Sequence, residues 1–298
     1  MKFKNPKNYN FSIKFLLILL ISLLALYFLP RFIQGNFWVY VNVSEVPGGV
    51  NQAFSFSIRT FIELILMGPV FSIIYYILMK KMINKLDNTS KNNEIYKSLL
   101  EIAVVLFIII YNMGHAIHIL FNHANSIYTL SFGLISLHYL ILFLILLPSE
   151  SLKLLISFLT PLYLFLYYSD EWLGHHLIHY SFFAFFVIAV ITELLQDDLQ
   201  EMSWDEILIC IILGIGASFV GGYATYEGQC AFPLFILSII LLIFQIFYAK
   251  MKKLEIRKYP IFLAILIYNI IVIAFFLSWI ALFGMKTYYP FIYQPSEL

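Results

Sequence analysis

The residues of this chain whose types could carry chemistry are its histidines. Six of the seven fall in two short stretches. The first, YNMGHAIHILFNHANS (residues 111–126), holds His115, His118 and His123. The second, SDEWLGHHLIHYS (residues 169–181), holds His175, His176 and His179, with Asp170 and Glu171 just ahead of them. Neutral imidazole combined with carboxylate is a ligand set for zinc, iron or copper. At about 100° per residue, a helix puts Glu171, His175 and His179 on one stripe, with His176 about 100° away from His175. On the other segment Asn112, His115 and Asn122 share a face, and His118 is offset by about 60° from His115.

Two helices that each present imidazoles at one depth could hold a divalent ion between them. Zinc is the favoured occupant, with iron or copper as the other candidates. The candidate metal ligands are therefore His115, His118, His123, His175, His176 and His179. A zinc ion with an open coordination position lowers the pKa of bound water and supports hydrolysis of an ester or amide. Asp170 and Glu171 are the candidate general bases or additional ligands. Hydrolysis of a lipid or lipid-like substrate is favoured over oxidation. A His115–His175 type of pair could also serve as axial ligands to haem, but the surplus of histidines argues against that. The plainer alternative is that these imidazoles satisfy hydrogen bonds between helices near a membrane interface. A metal-ion or proton transporter or channel, and a non-catalytic membrane subunit, are the rival functions.

The elements that must position these residues are membrane helices. Of the 298 residues, 62% are hydrophobic and only 12% charged, far below the quarter or so of charged residues usual in a soluble domain. A net charge of +1, with no basic stripe, gives no reason to expect nucleic acid as a partner. Apolar runs long enough to cross about 30 Å of hydrocarbon recur along the chain. They predict about nine spans, at 15–33, 58–79, 98–121, 127–148, 153–168, 172–192, 207–224, 231–249 and 260–284. The first is read as an uncleaved helix, because no small-residue cleavage site follows it. The expected fold is all-α: a polytopic transmembrane bundle forming one integral membrane domain over residues 1–298.

With the N-terminus inside, 15 of the 18 Lys and Arg fall in inner segments. They are Lys2, Lys4, Lys7, Lys14, Lys80, Lys81, Lys85, Lys91, Lys97, Lys153, Lys250, Lys252, Lys253, Arg257 and Lys258. This asymmetry predicts an N-in, C-out protein of the cell membrane. It also places both histidine stretches at the outer end of their helices, with His138 alone near mid-membrane. Arg59 and Glu63, one turn apart, read as a mutual ion pair. The stretch 34–57 is expected to be the longest outer loop, turning at Pro47-Gly48-Gly49. Small residues at Gly214, Ser218 and Gly222, and at Ala217 and Gly221, predict close helix packing. Asn269 is read as polar glue between helices. Cys210 and Cys230 flank a span and so should lie at opposite faces, too far apart to pair.

Overall fold

The computed structural model describes residues 10–32, 36–41, 52–57, 63–86, 91–131, 165, 168–196, 199–227 and 230–283. Seven α-helices dominate: α1 (Phe11–Phe32), α2 (Phe71–Ile83), α3 (Lys91–Ser131), α4 (His175–Leu194), α5 (Trp204–Glu227), α6 (Ala231–Lys252) and α7 (Pro260–Phe283). Two π-helical segments, Glu63–Val70 and Tyr168–Gly174, lead directly into α2 and α4. Pro69 lies inside the first of them and cannot donate to the helical ladder.

Five helical stretches are long and apolar enough to cross a membrane: Ile65–Ile83, Glu94–Phe121, Trp172–Leu194, Ala231–Lys252 and Pro260–Leu282. They match the second, third, sixth, eighth and ninth expected spans. Most of the fourth and fifth expected spans lie outside the described residues, as do Arg59 and His138. Two expectations need correction. The helix that carries the third span, Glu94–Phe121, does not stop with it, because α3 runs unbroken for 41 residues, about 60 Å. No Gly or Pro interrupts the sequence between Gly114 and Gly133, so nothing stops the helix where a turn was expected, and the backbone of His123 is helical. The stretch 34–57 is more than a loop. It contains two six-residue strands, β1 (Asn36–Val41) and β2 (Gln52–Ser57), paired antiparallel from Asn36 opposite Ser57 to Val41 opposite Gln52. The run NFWVYV is dense in aromatic and β-branched residues, which suit a pleated strand better than a loop. The fold is thus helical with one small hairpin.

Helix α3 packs on α4 and on both π-helical segments, while α7 packs on α5 and α6, and α5 on α1. The buried Phe185 of α4 joins four helices, lying 5.9 Å from Phe15, 5.1 Å from Tyr75 and 4.8 Å from Phe107 between ring centroids. The small residues of α5 do bring it close to α7. A Cβ added at Gly214 would sit 2.7 Å from the Ala264 carbonyl, and one at Gly221 would sit 2.9 Å from the Tyr268 hydroxyl. Asn269 acts as the expected glue: its Nδ2 donates to Gln245 Oε1 (3.0 Å), and Gln245 Nε2 donates to the Phe262 carbonyl (3.1 Å).

The end of the bundle away from the histidines is tied by carboxylates. Glu193, at the last turn of α4 and fully buried, accepts from the backbone N–H groups of Ile261 (3.1 Å) and Phe262 (2.8 Å). These are orphan donors of the first turn of α7, where Pro260 needs no acceptor of its own. Ser203 and Glu206 form the reciprocal half of a capping box on α5, with Ser203 N donating to Glu206 Oε2 (2.9 Å). Glu206 Oε1 also receives the Asn10 N–H (3.3 Å), fastening the start of α1. Glu193 and Glu206 therefore act in helix capping. Cys210 lies in this half, its thiol 3.7 Å from Met202 Sδ, whereas Cys230 lies beside His176. Neither cysteine is in a disulfide, in accord with the sequence expectation.

Candidate functional site

The site is made by a close crossing of α3 against the Tyr168–Gly174 segment and α4. Two glycines set the distance. A Cβ at Gly114 would fall 2.8 Å from the Ile178 nitrogen, and one at Gly174 would fall 2.9 Å from the His118 nitrogen. Each helix thus uses a glycine where the other's backbone presses on it, and the imidazoles on either side are drawn together. A further contact comes from the other π-helical segment. There a Cβ at Gly68 would lie 3.0 Å from Asn112 Oδ1 and 3.9 Å from His115 Cβ. Single-turn π segments recur at functional sites because they re-aim side chains that an α-helix would hold elsewhere.

Asp170, buried at 2% exposure, is carried by the π segment to His118, whose Nδ1–H donates to Asp170 Oδ1 at 2.5 Å. A carboxylate on Nδ1 keeps the proton there, so Nε2 of the neutral ring is left as an acceptor or ligand. His118 and His175 lie 4.4 Å apart between ring centroids, across the two helices, and His175 and His179 lie 6.2 Å apart along α4. His115, one turn below His118, packs edge-on against the buried Tyr111 at 4.6 Å. Its Nε2 is buried and, among the described residues, has no hydrogen-bond partner. Asn112 braces this helix face, its Nδ2 donating to Ser72 Oγ (2.7 Å) and to the Ile108 carbonyl (2.8 Å).

The structure therefore brings together His115, His118, Asp170, His175 and His179 from the sequence-predicted set. His176 faces elsewhere. Its Nδ1 lies 2.6 Å from the Trp172 carbonyl and 3.3 Å from Cys230 Sγ, with the Trp172 ring 4.8 Å away. The 100° offset from His175 read in the sequence accounts for this separation. Glu171 belongs to the π segment and His123 to the upper part of α3. Gly114, Gly174 and Cys230 belong to the site's framework and were not singled out from sequence. Both glycines stand next to a histidine in GHAIH and GHHLIH, and that adjacency is the signal that could have found them.

Among the described residues, no group of three or more His, Cys, Asp and Glu side chains is arranged so as to hold a metal ion as it stands. What the side chains do form is a His–carboxylate pair flanked by further imidazoles, at one end of helices apolar enough to cross a membrane. Fold and site together describe a helical membrane protein with a polar centre near one end of its bundle. No known protein family, curated protein or solved structure matches the chain.

Proposed function

We propose that this protein is a metal-dependent enzyme of the cell membrane that hydrolyses a lipid or lipid-like substrate at the centre between α3 and α4. The observation that carries the reading is the orphaned Nε2 of His115. A buried ring nitrogen without a partner costs about 1–3 kcal/mol unless a ligand, ion or water occupies its open side. It stands one turn from His118, whose Nδ1 is already taken by Asp170, and the His118 ring in turn lies 4.4 Å from that of His175. That is the arrangement in which a carboxylate fixes an imidazole for a metal on the ring's far side.

In this reading His115, His118, His175 and His179 are the residues that would hold one divalent ion, zinc first. Asp170 orients His118, and Glu171 serves as the general base that takes a proton from the attacking water. A bound ion would supply a polarised water at neutral pH. His176, turned towards the Trp172 carbonyl and Cys230, stays outside the ligand set, and the side chain of His123 lies outside the described residues. The remaining elements of the proposal are the nine-span count and the N-in, C-out orientation, which the lysine distribution supports and which put the centre at the outer surface.

Metal analysis of the purified full-length chain tests it. Stoichiometric zinc, iron or copper is expected in the wild type and is lost from a His118→Ala, His179→Ala variant. A wild-type protein that carries no stoichiometric metal after purification without chelators overturns the reading.

A further inference from the structure

The hairpin that follows α1 plays no part in the histidine centre. Its strands pair along their whole length, from Asn36 opposite Ser57 to Val41 opposite Gln52. In an antiparallel pair, residues opposite each other belong to the same face, and successive residues alternate between faces. One face therefore holds Phe37 with Phe56, Val39 with Phe54, and Val41 with Gln52. The other holds Asn36 with Ser57, Trp38 with Ser55, and Tyr40 with Ala53. Every residue of the first face except Gln52 is apolar. The second mixes small and amide residues with Trp and Tyr, aromatics that carry a polar handle. The register thus divides a stretch that reads as uniformly aromatic into an apolar face and an amphipathic one.

A lone two-stranded hairpin is marginally stable at best in water, and its apolar face needs a covering. Among the described residues no helix packs along this hairpin, and the substantial contacts of β1 and β2 are with each other. The connections at its two ends decide what lies within reach. From Phe32, the last residue of α1, Asn36 is four residues on, at most about 14 Å away. From Ser57, Glu63 is six residues on, at most about 22 Å away. Two residues later, at Ile65, begins a stretch long and apolar enough to cross a membrane. Both ends of the hairpin are therefore tethered close to where the chain meets the bilayer.

Charge and backbone set the depth it can reach. Neither strand holds a charged residue, so no ionised side chain opposes its transfer to a lipid interface. Its two outer edges, however, leave backbone groups unpaired, and open sheet edges do not occur within the hydrocarbon. The hairpin is thus apolar enough to leave water and too polar along its edges to pass the headgroups.

We propose that the β1–β2 hairpin lies flat on the membrane surface beside the Phe32 end of α1. The face holding Phe37, Val39, Val41, Phe54 and Phe56 meets the boundary between headgroups and acyl chains. The face with Trp38 and Tyr40 stays among the headgroups, where such rings concentrate. The partner is the lipid surface itself, and the hairpin anchors the connection from α1 to α2 upon it.

The experiment reads depth position by position in the full chain, reconstituted as single copies in phosphatidylcholine nanodiscs. Val39→Cys, Phe54→Cys, Tyr40→Cys and Ala53→Cys each carry an environment-sensitive fluorophore, with the wild type, whose Cys210 and Cys230 are fully buried, as the blank. Nitroxides on the acyl chains should quench the Val39 and Phe54 labels strongly, at about 5–10 Å into the headgroup and acyl boundary. The Tyr40 and Ala53 labels should respond weakly to them and more strongly to a water-soluble quencher. Equal behaviour of all four labels overturns the proposal. Protection of the Val39 and Phe54 labels from both quenchers also overturns it, because protein would then cover that face. Should the labelled variants fail to fold, photolabelling of the wild type by a diazirine-bearing acyl chain decides. Adducts on Phe37, Val39, Phe54 or Phe56 support the proposal, and adducts confined to the membrane-length helices overturn it.

Discussion

Gly174 lies against the backbone of His118 so closely that a Cβ there would be 2.9 Å from the His118 nitrogen and 3.0 Å from its Cα. The obstruction is backbone, which cannot swing aside as a side-chain tip can. The contact is repeated at the neighbouring crossing point, where Gly114 meets the Ile178 nitrogen. Two glycines therefore set the separation of α3 and α4, and with it the reach of each imidazole on either helix.

Replacing Gly174 by Ala tests this directly. In an exposed helix the change would stabilise by about 1 kcal/mol through propensity alone. Here the methyl must push α3 away, and overpacking of this kind costs about 1–3 kcal/mol. Thermal unfolding of Gly174→Ala in detergent should show a lower midpoint than wild type, with Gly114→Ala behaving alike. A raised midpoint for both variants would mean that the helices are not in this contact.

Asp170 is expected to act through His118. In Asp170→Asn the side chain still offers an oxygen to Nδ1–H, but the charge that fixes the ring is gone. Removal of such an orienting carboxylate weakens metal binding by about 10–100-fold. Competition against a chromophoric chelator should show that loss, whereas His118→Ala should bind far more weakly still. Equal affinity of Asp170→Asn and wild type would remove the orienting role.

The helical character of the protein, five of its membrane-length helices and the pairing of the two histidine stretches were legible because they rest on local signals: apolar run length and helical periodicity. The 41-residue length of α3 was not, since hydropathy dips at Asn122, His123 and Asn125 and a dip resembles a turn. Polar residues alone do not stop a helix that lacks Gly or Pro. The hairpin escaped because NFWVYV is as compatible with an interfacial aromatic segment as with a strand. Asp170 meeting Nδ1 of His118 depends on a π-helical turn, and no residue pattern announced that turn. His176 shows the opposite case, where the angular offset in the sequence already separated it from His175.

The glycines of α5 are not equivalent, and their neighbours say how they differ. At Gly214 an added Cβ meets the Ala264 carbonyl at 2.7 Å and Ile267 Cβ at 2.9 Å. At Gly216 it meets only the tip of Leu20, Cδ1 at 3.2 Å, which can rotate away. Gly214→Ala should therefore lower the unfolding midpoint by the equivalent of about 1–3 kcal/mol. Gly216→Ala should be neutral or mildly stabilising, since alanine is the better helix former. Equal midpoints for the two variants would contradict the packing of α5 on α7.

Glu193 offers the sharpest separation of charge from shape. Both of its oxygens are engaged, one by the Ile261 N–H and the other by the Phe262 N–H, at the positive end of α7. Glutamine in its place keeps the volume, but it presents an NH₂ group to one of the two donors. A buried N–H left without an acceptor costs about 1–3 kcal/mol, and loss of the charge at the helix N-terminus adds to it. Glu193→Gln should thus lower the unfolding midpoint, and Glu193→Ala, which strands both amides and opens a cavity, should lower it further. Hydrogen exchange gives the residue-level readout: the amides of Ile261 and Phe262 should lose protection in Glu193→Gln before the rest of α7 does. A glutamine variant with wild-type stability and unchanged protection at these two amides would show that α7 does not depend on this carboxylate for its cap.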